Sequence, residues 1–233
     1  VARYSTSTRY TPKEGTPANS FNISMVPWVE FTGFNINVFD EELFAQAMKT
    51  ADKAVSIWPD RLDFRFMKTN AYIAYEKESP DMALAYLSAL ADENVRRKSS
   101  WEYEGVKVDQ DFFQDAMQEY CYSFYSLGTP AGYEAFRTLS EKLVAMFPDN
   151  PQFMNNLGSY YLIAKEDYKT AYKYYNKVLK AHPDDYSAIK NGIVAARRQK
   201  NVKTERKYLE MMLKYGPENE RLQAEGRLKA LKK

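Results

Sequence analysis

Few side chains in this 233-residue sequence have the type and spacing that chemistry needs. Cys121 is the only thiol and His182 the only imidazole. A nucleophilic thiol wants a histidine beside it. Cys121 sits instead in Glu-Tyr-Cys-Tyr-Ser-Phe-Tyr, an aromatic stretch of helical character, and reads as a small buried hydrophobe. One cysteine also rules out a disulfide within the chain. Paired carboxylates occur at Glu102/Glu104 and Asp184/Asp185, on segments that read as loops and caps, where solvated or capping acids are expected. The sequence contains no Gly-rich phosphate loop, no metal-spaced His/Cys set and no Gly-x-Ser-x-Gly elbow. From the residues alone the chain is predicted to be non-enzymatic, with no catalytic residue, no cofactor and no metal.

Composition bounds the rest. A 45% hydrophobic content is ample for a core, and 19 tyrosines suit half-buried ridges that are apolar at one end and wet at the other. No stretch approaches the roughly 18 apolar residues of a membrane helix. The net charge of +2 is uneven: residues 197–233 carry +7 and the preceding 196 carry −5. A basic end attracts nucleic acid or an acidic partner. Here Glu205, Glu210, Glu218, Glu220 and Glu225 are interspersed, so solvated terminal helices are the preferred reading and nucleic-acid binding the lesser one. The chain begins at Val1 without an initiator Met, which suits either a mature exported protein or a trimmed chain; an exported, periplasmic setting is expected over a cytoplasmic one.

The elements that must position these groups fall into two parts. In residues 1–39, Ser, Thr, Asn, Gly and Pro abound. The first 20 or so read as a flexible tail. Phe34, Ile36 and Val38 alternate with Asn35 and Asn37, which is strand periodicity, and so aromatic a segment is expected to pack on the helices. From Asp40, a helix cap, the period turns helical. Helices are predicted to Pro59, over 62–77, from Ser79-Pro80-Asp81, over 109–127 and over 130–147. Residues 94–108 break the rhythm and read as an insertion, with Trp101 and Tyr103 folded back on the body.

The last 83 residues repeat with a period of 34: Gly158 is echoed by Gly192, Pro183 by Pro217, and Tyr175, Val178 and Leu179 by Leu209, Met212 and Leu213. Asn150 and Asp167 are cap candidates, with Pro151 at a first turn. Gly158 inside a helix costs about 1 kcal/mol relative to Ala, and close approach of a second helix explains it. Leu157-Gly158, Tyr161, Tyr168, Ala171, Tyr175 and Pro183 resemble the tetratricopeptide repeat (TPR) family. The resemblance is clear over about 151–217 and weak over 40–148. It implies an all-α fold: a right-handed α-α superhelix of antiparallel helix pairs over 40–233, preceded by a non-helical N-terminal segment and closed by a capping helix at about 217–231. In the second unit Asn191, Ala195 and Glu205 replace the expected Leu, Tyr and Ala, which suggests a terminal, partly exposed unit.

The resemblance further implies a scaffold that binds a polypeptide partner on the concave face lined by each unit's first helix. By position, that groove comprises Gln152, Asn155, Asn156, Ser159, Tyr186, Ile189, Lys190, Ile193 and Arg197. Some members clamp a chaperone's C-terminal carboxylate. Asn156 and Lys190 fit two slots of that clamp, but Tyr186 stands where a second cation belongs, so the full clamp is not expected. Glycan or small-ligand binding by exposed aromatics is the alternative. The partner's identity and the oligomeric state are not legible.

A second resemblance is shorter. Pro27-Trp28-Val29-Glu30-Phe31-Thr32-Gly33-Phe34-Asn35 is similar to a strand of chloramphenicol acetyltransferases, over about ten residues. Catalysis in that family needs His-His-x-x-x-Asp-Gly, whereas this chain has one histidine, His182, in a predicted turn. The segment is therefore expected to supply strand structure only.

Overall fold

The computed structural model describes residues 3–4, 28–30, 37–39, 41–76, 79–97 and 100–231. These residues form ten helices and five short strands, an all-α architecture with a non-helical N-terminal part, as the periodicity predicts. The chain divides into two compact units, Val1–Met117 and Gln118–Lys233. No described helix is long and apolar enough to cross a membrane.

In the first unit, β1 (Arg3–Tyr4), β2 (Trp28–Glu30) and β3 (Asn37–Phe39) form an antiparallel sheet in the order β1-β2-β3. Trp28 pairs with Phe39, Val29 with Val38 and Glu30 with Asn37, while Arg3 pairs with Glu30. Arg3–Tyr4 is thus paired strand where a flexible tail is expected. The alternation at 34–36, the Asp40 cap and the packing of 21–39 on the helices lie outside the described residues.

Three helices come next: α1 (Glu41–Ile57), α2 (Leu62–Glu76) and α3 (Asp81–Arg97), each packed on its neighbour in the chain. Leu62, Phe66, Leu87, Leu90 and Trp101 are among the side chains that close their core. The predicted break at 94–108 begins late, because α3 continues through Asn94 to Arg97. Beyond α3 the chain forms a hairpin of β4 (Trp101–Tyr103) and β5 (Val106–Val108). Glu104 and Gly105 both have positive φ, at 51° and 83°, which is the backbone of a two-residue hairpin loop with the twist of its strands.

Trp101 does fold back: it is 1% exposed and stacks 6.4 Å from Phe113. Its Nε1 donates to Asn94 Oδ1 at 2.7 Å, and Asn94 exchanges hydrogen bonds with the Gln110 amide at 2.9 and 3.0 Å. The Arg97 guanidinium lies 5.0 Å above the Trp101 ring. The insertion is therefore tied to the end of α3 and to the start of α4 (Gln110–Ser126).

The second unit holds the rest of α4, then α5 (Pro130–Met146), α6 (Pro151–Ile163), α7 (Tyr168–Ala181), α8 (Tyr186–Arg198), α9 (Val202–Tyr215) and α10 (Glu218–Ala230). From α5 onward, each helix packs on the next in the chain. Thr129, Asn150, Asp167, Asp185 and Asn201 cap successive helices, each side chain accepting a backbone N–H of the first turn. A Cβ added at Gly158 would overlap the Tyr175 ring, and one at Gly192 the Tyr208 ring. The two crossings are equivalent, yet the second ring comes from Tyr208, one residue before the Leu209 that the echo predicts.

Glu205 departs from expectation. It is buried, 2% exposed, instead of marking a loose terminal unit. Its carboxylate accepts from Arg197 Nε and from Arg227 Nε, both at 2.8 Å, so one side chain of α9 joins α8 to α10.

Candidate functional site

The second unit holds a cavity of about 240 Å³ among α4, α5, α6 and α8. Tyr122 and Tyr125 face it from α4, Phe136 from α5, Gln152, Asn155, Asn156 and Ser159 from α6, and Ser187 and Asn191 from α8, with Asp185 at the α8 cap. The helical period puts Asn155 and Ser159 one turn apart on one stripe of α6, as their four-residue spacing requires.

Two buried amides set the floor. Gln118 Nε2 donates to Asn156 Oδ1 at 3.0 Å, and Asn156 Nδ2 donates to Gln118 Oε1 at 2.8 Å. This reciprocal pair satisfies both side chains and fixes α4 against α6. Asn155 Nδ2 donates to Asp185 Oδ1 at 3.0 Å, and the same oxygen accepts the Ala188 backbone N–H at 2.7 Å. Asn191 Nδ2 donates to Ser159 Oγ at 3.3 Å. Beneath the cavity Cys121 is fully buried, and that burial pushes its thiol up to about 12. A thiol held protonated is no nucleophile.

The nine residues predicted for a groove therefore divide. Gln152, Asn155, Asn156 and Ser159 line the cavity together. Ile189 and Ile193 do not, because both are buried in the apolar core. Tyr186 donates its hydroxyl to Glu220 at 2.8 Å, and Lys190 donates to the same carboxylate at 3.2 Å, holding the first turn of α10. Arg197 is bound to Glu205. The three-and-four spacing identifies a helix face, but a face that meets the next helix is occupied before any ligand arrives. Sequence position does not single out Tyr122, Tyr125, Asp185 or Asn191 for this site. Tyr122 and Tyr125 share a three-residue spacing, whereas Asp185 reads as a cap and lines the cavity as well.

Comparison with known proteins points to the other end of the chain. The chloramphenicol acetyltransferase family model matches residues 1–57. A chloramphenicol acetyltransferase of Clostridium butyricum is 42% identical over 53 residues, 23% of this chain and 24% of that protein. One from Clostridium perfringens is 40% identical over 53 residues, and one from Staphylococcus aureus 36% over 56, which is 26% of its length. The chain spans about a quarter of the length of the curated relatives it matches.

These matches correct several expectations. The family found is an acetyltransferase family, not the tetratricopeptide repeat family, and it is a family of enzymes, not of non-enzymatic scaffolds. The likeness at Pro27–Asn35 extends over β1 to β3 and all of α1. The repeat misleads for a physical reason. Gly158 against Tyr175 and Gly192 against Tyr208 are requirements of close helix pairing, so they report architecture and carry no information about function. Polypeptide binding on the concave face falls with the scaffold reading. Its alternatives fit these matches no better, although Trp58 and Tyr122 are about half exposed; of the basic residues read for nucleic acid, Arg197, Arg206 and Lys207 are bound to Glu205, the Leu231 carbonyl and Asn176.

Proposed function

We propose that the chain takes part in acetyl transfer to a hydroxyl of the chloramphenicol class, with residues 1–57 as its acetyltransferase-type segment. The observation that supports this most is the 42% identity over 53 residues, beside a family-model match over residues 1–57 that takes in a strand pair and a complete helix instead of one short motif.

In such a transfer the acceptor oxygen attacks the carbonyl carbon of an acetyl thioester. An ester C–O bond forms, the C–S bond breaks, and the thiolate leaves. A base removes the hydroxyl proton, which ends on the thiol. That base works best when its pKa lies near the working pH. The only imidazole of this chain, His182, lies at the C-cap of α7 in the second unit, outside the matched residues. The matched segment therefore carries no histidine base for the proton transfer.

The test is to incubate the purified chain with chloramphenicol and acetyl-CoA and follow free thiol and acetylated product. Acceptor-dependent thiol release above a chain-free blank supports the reading. No release, together with no retention of chloramphenicol by the chain in equilibrium dialysis, overturns it. Where release is seen, His182→Ala separates a base within this chain from one supplied elsewhere.

A further inference from the structure

The cavity among α4, α5, α6 and α8 has an unbalanced wall. Asp185 is its one charged lining residue, and no Lys or Arg lines it. Asp185 Oδ1 already accepts twice, from the Ala188 N–H and from Asn155 Nδ2. Among the described residues no donor is paired with Oδ2.

Asn155 beside it is 6% exposed, and its Oδ1 is buried without a donor. The amide cannot be turned around to relieve this, because its nitrogen is held by the Asp185 carboxylate at 3.0 Å. A buried acceptor left without a donor is costly, and such groups are rare in folded proteins. Tyr122 and Tyr125 also line the cavity, and aromatic rings attract cations. A fixed anion, an acceptor lacking a donor and aromatic faces together select a ligand that is positively charged and rich in N–H groups. A cavity of about 240 Å³ falls below the usual range for drug-sized ligands, which limits the occupant to roughly ten heavy atoms or fewer.

We infer that this cavity binds a small organic cation, an alkylammonium or alkylguanidinium, with its head group against Asp185 and Asn155 and its stem along the tyrosine rings. The site is separate from the acetyl-transfer reading and stands or falls without it. It also differs in extent from a groove running along α8, since Tyr186, Lys190 and Arg197 are held by carboxylates of the chain itself.

The experiment titrates the full chain with agmatine, putrescine and the neutral analogue 1,4-butanediol, read by calorimetry and by saturation-transfer NMR. The two cations are expected to bind with Kd below about 1 mM and the diol not at all. Asp185→Asn should weaken cation binding at least tenfold while leaving the melting temperature nearly unchanged, because Asn caps a helix as well as Asp. Tyr125→Leu gives a second reading and should weaken it a few-fold. The inference is overturned if neither cation binds, which would mean that water alone fills the cavity. It is overturned equally if the diol binds as well as putrescine, or if a folded Asp185→Asn chain binds the cations as tightly as the parent.

Discussion

At Gly158 a single hydrogen atom decides whether α6 and α7 can meet, since any Cβ there would overlap the Tyr175 ring. Ala is the better helix former by about 1 kcal/mol. Tyr175 is fully buried and has no room to withdraw, so overpacking wins. Gly158→Ala should destabilise the chain by about 1–3 kcal/mol in urea unfolding, and combining it with Tyr175→Leu should recover part of that loss. A stability gain on the single change would mean that the helices do not cross here. Cys121 offers a second check. Its thiol is pushed up to about 12 by burial, so a thiol reagent should leave it unlabelled at neutral pH until the chain unfolds. Both roles are legible in the sequence, because a glycine inside a helix and a cysteine in an aromatic run each leave few readings. Glu205 is not legible. Nothing near it in sequence announces that Arg197 and Arg227 converge on it, and a carboxylate in place of Ala reads as exposure until those partners are seen.

Among the elements, α10 depends most on charge. Ala224 is its only buried side chain. Leu228 adds partly buried apolar packing, and the remaining ties are polar: Arg227 on Glu205, and Tyr186 with Lys190 on Glu220. Hydrogen bonds from Arg227 and Arg197 keep the Glu205 carboxyl below its usual pKa, and those from Tyr186 and Lys190 do the same for Glu220. That direction sets the sign. A depressed carboxyl contributes stability that is fully present above its unfolded pKa, about 4.3, and is lost as pH falls through the folded value. Helical circular dichroism should therefore report loosening of α10 below about pH 4, at pH values where α5 to α7 still hold. Glu205→Gln, measured at pH 7, should remove about 1–3 kcal/mol and flatten that acid transition. An unchanged acid profile in the variant would show that Glu205 does not hold α10. The β4–β5 hairpin is half legible. Its break in period is visible, but Glu104-Gly105 is not the Asn-Gly or Asp-Gly pair that announces a two-residue loop, so its strands are not.

On the scale of the whole molecule, two signals occupy different stretches of one chain. The 34-residue echo is strongest from Pro151 to Pro217, and the acetyltransferase match ends at residue 57. Periodicity is legible because helix pairs must repeat the same small residues wherever they cross. The match is legible only at Pro27–Asn35, because the strand and helix periods in the rest of residues 1–57 report structure and name no family. α1 lies within the matched residues, yet it also belongs to the helical part: it packs against α2 through a face that includes Ala51, with Phe44 stacked on Tyr75 at 4.4 Å. The two signals can therefore be separated by cutting before α1 and not after it. Deleting residues 1–40 leaves α1 on α2, so helical signal and melting temperature should change little, while acceptor-dependent acetyl transfer should disappear. Deleting residues 1–57 also removes the partner of α2 and should lower the melting temperature of the first unit. If transfer survives the shorter deletion, the strand region is not what confers it, and the proposed acetyl transfer would have to be carried by the helical residues instead.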